Sequence, residues 1–81
     1  MKYFFVWLAN QTDRQDDEVL KVRAKTKLQA RRIAEEECDD YRFYIADVYT
    51  AQQFKKWDPW WHALLWGKPA VNEPKKKKRR N

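Results

Sequence analysis

Asp58 and His62 stand four residues apart, a spacing that sets a carboxylate and an imidazole on one helical face, where the acid could orient the ring as a general base. Such a base needs a nucleophile to activate. The chain has no serine, and its one cysteine, Cys38, falls on the apolar stripe of another helix. Gly67 is the only glycine, so no Gly-rich loop can cradle a phosphate. One Cys and one His exclude an internal disulfide and a Cys-based zinc site, and no Asp/Glu set has metal-like spacing. The expectation is a protein that is not an enzyme, with no catalytic residues, no metal and no cofactor.

Charge beside aromatic rings is the other chemistry on offer. Lys21, Arg23 and Lys25 alternate with Leu20, Val22 and Ala24, and they share a sheet with Tyr and Trp side chains of the first strand. Cations that track phosphates beside rings that stack on bases are the means of holding single-stranded nucleic acid. The alternative is an ordinary solvated strand face. The ribonucleoprotein signature is missing, which argues against a standard RNA-recognition domain. Trp57, Trp60, Trp61 and Leu64 follow i, i+3, i+4, i+7 spacing and predict an apolar stripe that covers the sheet, with His62 and Trp66 on another face. Any of Trp57, Trp60, Trp61 or Trp66 left exposed is a candidate protein contact. The helix is too short for a strong interfacial anchor, so no membrane partner is expected.

The net charge of +6 belongs to the end of the chain. Residues 1–74 hold twelve Lys/Arg and twelve Asp/Glu; the remainder is Lys75, Lys76, Lys77, Lys78, Arg79 and Arg80. Six like charges in a row predict a disordered arm that seeks a polyanion. The same run has the form of a nuclear localisation signal; the compact body favours the arm. The apolar run Tyr3–Ala9 is too short for the core of a signal peptide. The expected location is a reducing cytoplasm, that of a bacterial host if the chain is phage-encoded.

These residues need a scaffold. Residues 3–9 are aromatic and β-branched on both alternating faces, which predicts a central strand. Residues 10–17 predict an exposed polar loop, and residues 18–25 a half-buried strand. Thr26 and Gln29 fit a capping box ahead of a helix over 27–38, whose buried stripe is Ala30, Ile33, Ala34 and Cys38. Its charges run against the helix dipole: Arg31 and Arg32 precede Glu35, Glu36, Glu37, Asp39 and Asp40. Residues 42–49 predict a third strand, with Phe43 and Ile45 opposite Tyr44, Ala46 and Val48. Thr50 caps a short turn, Asp58-Pro59 restarts the chain as a helix over 59–66, and Gly67 suits its end. The fold class is α+β: a three-stranded sheet in order 2-1-3, strand three parallel to strand two, a helix on one face and the Trp-rich helix on part of the other. The compact domain is expected over residues 1–68 and the flexible basic tail over 69–81.

The run Val22-Arg23-Ala24-Lys25-Thr26-Lys27-Leu28-Gln29-Ala30-Arg31-Arg32-Ile33-Ala34 resembles a strand–cap–helix unit of small phage proteins and is similar to one of the type I-F anti-CRISPR families. The resemblance covers residues 3–50. It implies that Lys27, Arg31 and Arg32 contact the guide-RNA backbone of a surveillance complex. The expected function is that of a binding protein, phage-encoded, directed at host nucleic acid or a nucleic-acid-handling machine. Two alternatives stay open: an inhibitor of host RNA polymerase acting through exposed Trp, and a phage structural protein whose tail touches the genome.

Overall fold

The computed structural model describes residues 2–12, 17–38 and 40–72. Its elements follow the order β1 (Lys2–Asn10), β2 (Glu18–Ala24), α1 (Lys27–Glu37), β3 (Phe43–Thr50), α2 (Ala51–Trp57) and α3 (Pro59–Trp66). The sheet order is β2-β1-β3, with β1 antiparallel to both neighbours, so the outer strands point the same way. The central place of β1 follows from its two apolar faces. Phe4, Val6 and Leu8 enter one core and Phe5 the other, and all four are buried.

The first core is mainly aliphatic and lies under α1. Val22, Ala24, Ala30, Ala34 and Val48 join Phe4, Val6 and Leu8 there, with Ile33, Cys38, Phe43 and Ile45 at the margin. Ala30 and Ala34 are fully buried, because small side chains let a helix lie close on a sheet. Thr26 caps α1 by accepting the Gln29 N–H at 3.1 Å. The Gln29 side chain reaches back one residue further than a capping box requires and takes the Lys25 N–H. The full box is at α2, where Thr50 and Gln53 bond reciprocally at 3.1 and 3.0 Å.

Simple alternation misplaces half of β3. Trp7 pairs with Asp47 but Leu8 with Ile45, so Ala46 is the extra residue of a bulge. The bulge flips the pleat. Val48, Ile45 and Phe43 therefore all pack against the α1 core, where alternation sets Phe43 and Ile45 opposite Val48. The loop after β1 is also less exposed at its ends than its polarity predicts. Asn10 is buried, and Asp17 accepts both the Asn10 N–H and the Trp7 indole N–H, at 2.8 and 3.0 Å.

The second core is aromatic and lies under α2 and α3. Phe5 and Phe54 have no exposed surface and stack at 4.7 Å. Trp57 lies on Tyr49 and Trp7, while His62 lies on Phe5 and Trp66 on Tyr3. Trp57 covers the sheet as predicted, but within α3 the predicted stripe is reversed: His62 and Trp66 pack on the sheet, and Trp60, Trp61 and Leu64 are exposed. The cause is the break at Asp58-Pro59. Asp58 accepts the Trp61 N–H and starts a new helix, so spacing counted from Trp57 has no meaning beyond it.

The domain also runs past residue 68. Ala70 is buried, and Val71 bonds to the outer edge of β2 through Lys21 and Arg23 at 2.8 and 2.9 Å. The opposite edge is blunted locally: Asp47 and Gln53 side chains take the N–H groups of Val48 and Thr50. Gly67 ends α3 at φ −82°, right-handed, so no left-handed cap forms there. Among the described residues no helix is long and apolar enough to cross a membrane.

Candidate nucleic-acid interface

The topology sends the basic residues to one end of the sheet. Lys2 begins β1 opposite Ala24 at the end of β2, Arg23 and Lys25 flank Ala24, and Lys27 opens α1. Lys2, Lys25 and Lys27 are exposed, and Arg23 is half-buried. The described chain leaves at the same place. Asn72, in a left-handed turn at φ 67°, donates its side-chain amide to the Arg23 carbonyl at 3.2 Å. Lys75 follows three residues later in the sequence. Lys75, Lys76, Lys77, Lys78, Arg79 and Arg80 themselves lie outside the described residues.

Acids gather at the other end. Asp17 precedes β2 and Glu18 starts it, Glu35, Glu36 and Glu37 end α1, and Asp40 lies just before the turn into β3. The first turn of α1 has no acid and its last turn no base, so the side chains add to the macrodipole instead of offsetting it. Each such placement costs about 0.3–1 kcal/mol at most, small enough to persist for a reason other than stability. Among the described residues Arg42 is the basic residue at that end, and it is spent on Asp40 at 2.7 Å, whose carboxyl its hydrogen bonds hold below the ordinary value. The domain is thus an electric dipole with its positive end at the root of the basic run.

The structure divides the predicted basic residues. Lys25, Lys27, Arg31 and Arg32 are exposed, with Arg31 loosely paired to Glu35 at 3.6 Å. Lys21 is not on an open face. It is buried, and its ammonium donates to the carbonyls of Trp66 and Lys68 while lying over the rings of Tyr3 and Trp66, 4.5 and 4.9 Å from their centroids. Lys21 therefore fastens the end of α3 to the sheet. The Tyr and Trp rings of the first strand, predicted to stack on bases, meet the same fate, since α2 and α3 cover Tyr3 and part of Trp7.

Aromatic surface reappears on the outside of the covering helices. Trp57, Trp60, Trp61, Leu64 and Trp66 are 39–67% exposed, and no residue of α3 is buried. Lys55, Lys56 and Lys68, all exposed, flank these rings. Spacing did not single out these lysines; the pair Lys55-Lys56 directly before Trp57 was the available signal. The Asp58–His62 pair does not form. Asp58 is turned to the Trp61 N–H, and His62 lies among Phe5, Phe54 and Trp66. Burial, then Lys55 and Lys21 nearby, lower the His62 pKa. Burial, with Asp47 beside it, raises that of the Tyr49 phenol. Among the described residues no three His, Cys, Asp or Glu gather as a metal site.

No protein-family model, curated protein or solved structure matches this chain.

Proposed function

We propose that this chain is a non-enzymatic binding protein that engages the phosphate backbone of a nucleic acid, free or within a nucleoprotein machine, with the positive end of its domain and the basic run rooted there. The carrying observation is the convergence of Lys2, Arg23, Lys25 and Lys27 with the exit of the chain at Asn72, while the acids stand at the far end. A polyanion meeting this dipole is drawn to one end and repelled from the other, so the field orients the encounter as well as hastening it. The resemblance to anti-CRISPR proteins supports the same reading, since the residues it points to, Lys27, Arg31 and Arg32, are exposed. A second reading, an inhibitor of a transcription enzyme, takes support from the exposed Trp residues as protein contacts.

The test compares the full chain with a variant in which Lys75–Arg80 are all Gln, on labelled oligonucleotides over a salt series. Six or more phosphate contacts give a log–log slope of about −4 to −6, and the variant should bind at least about a hundredfold more weakly at low salt. Undetectable binding by the full chain, or equal binding by the variant, would refute the proposal.

A further inference from the structure

We infer that the outer face of α3, formed by Trp60, Trp61 and Leu64 with the exposed part of Trp57 beside them, is a stacking platform for the unpaired bases of single-stranded nucleic acid; this rests on the nucleic-acid reading above. The apolar payload sits on the wrong side for a core. Trp60 is 67% exposed and Trp57 52%, although each could bury a large apolar surface, and α3 has no buried residue at all. Exposed apolar area of this kind marks a contact site.

Charge identifies the occupant. Residues 51–72 carry Lys55, Lys56 and Lys68 against one acid, Asp58, which caps α3 by accepting the Trp61 N–H. Asp17 and Asp47 lie on the strand side of Trp57, beside Trp7 and Tyr49, and not on α3. Over residues 51–81 there are nine Lys/Arg and two acids, whereas residues 1–50 hold nine and ten. A second copy of this chain would set lysines against lysines. An anion with flat apolar groups between its charges fits the face, and single-stranded nucleic acid is such an anion. The large apolar side chains exposed on α2–α3 are four indoles and one leucine, a composition suited to stacking more than to lipid chains.

The geometry suits it as well. Trp60 and Trp61 stand at 87° with centroids 5.5 Å apart, so the pair offers a ring plane in two directions. Trp57 is backed by Tyr49, tilted only 13°, which holds its plane in place. From these rings α3 runs to Trp66 over Tyr3, and Lys68 and the Val71 pairing with β2 lead on to Arg23 and the root of the basic run. One helix and one strand pairing thus separate the rings from the point where the described chain ends. A duplex hides its base faces and gains only the charges.

The experiment measures binding of the full chain to a labelled oligo-dT and to a duplex of equal length, for wild type and for the double variant Trp60→Ala, Trp61→Ala. Both rings are exposed, and circular dichroism checks that the variant is folded. Wild type should favour the single strand about tenfold or more. The variant should lose that preference while its duplex affinity stays within about twofold, since phosphate contacts remain. Equal affinities in wild type, or equal losses on both oligonucleotides, would overturn the platform while leaving the phosphate reading standing. Binding of neither oligonucleotide by wild type defeats the phosphate reading and this one together. If the preference survives in the variant while binding to anionic vesicles, or concentration-dependent sedimentation, is lost, the face belongs to a lipid surface or to a second copy and the proposal fails.

Discussion

The two faces of the sheet are built from different materials to different degrees of closure. Under α1 the core is mainly aliphatic and closed: Ala30 and Ala34 meet Phe4, Val6 and Val22, with little or no exposed surface. Under α2 and α3 it is aromatic and graded, from fully buried Phe5 and Phe54 through Trp57 and Trp66 to the open Trp60. One charged group, the Lys21 ammonium, is enclosed there, held by two carbonyls and two rings. A domain this small has few apolar residues to spare. Leaving large indoles in water while alanines fill the other face is a division of labour: α1 supplies stability, and α3 supplies surface.

That comparison can be broken most sharply at Phe54. Phe54→Ala should cost about 3–5 kcal/mol, which for a chain of this size threatens folding, whereas Trp60→Ala, a larger truncation nearby, should stay within about 0.5 kcal/mol. Urea titrations of both variants check the contrast, and a large loss at Trp60 would return that residue to the core.

Lys21 comes next. Lys21→Met keeps the stem but leaves the Trp66 and Lys68 carbonyls without their donor, so it should cost about 1–3 kcal/mol and speed amide exchange at the end of α3. No loss in stability would mean that Lys21 does not fasten that helix.

The His62 pKa is lowered in the folded domain, so the unfolded chain binds the proton first as pH falls. The contribution is fully present above the unfolded value, near 6.5, and is lost as pH falls through the lower folded value. Stability should therefore begin to drop as pH falls below about 7, and His62→Phe should flatten the onset of that fall. A wild-type profile level across this range would contradict the packing described for His62. The smallest effect is at Gly67, whose ordinary φ and open surroundings predict that Gly67→Ala leaves stability unchanged or raises it by about 0.4–1 kcal/mol. A loss would show that the end of α3 needs a conformation only glycine allows.

Much of the architecture was legible because it depends on local rules. The two-sided apolar pattern of residues 3–9 placed β1 centrally, Thr26 and Thr50 marked helix starts, and Asp58-Pro59 marked the break between α2 and α3. What escaped depends on register and on phase across breaks. The bulge at Ala46 has no sequence signature, and it alone decides which side of β3 reaches the core. Periodicity carried from Trp57 into α3 passes through a proline that resets it, so it assigns to the sheet a face that points outward. The candidate site suffered from both limits. Lys21 sits on the strand face where alternation puts it, but the same face is the one that α3 covers, so its exposure depended on a long-range contact. The dipole needed only the topology and the charge order already visible in α1. Lys2 and the exit at Asn72 joined it through pairings between residues far apart in sequence.

The claim that charge draws the nucleic acid and rings recognise it is tested most directly by one pair of salt titrations. Oligo-dT affinity is followed from about 50 to 200 mM salt for wild type and for Trp60→Ala, Trp61→Ala, as log affinity against log salt. Two parallel lines, with the variant displaced downward about tenfold or more, are the predicted result. Lines that coincide, or that differ in slope instead of height, would contradict it.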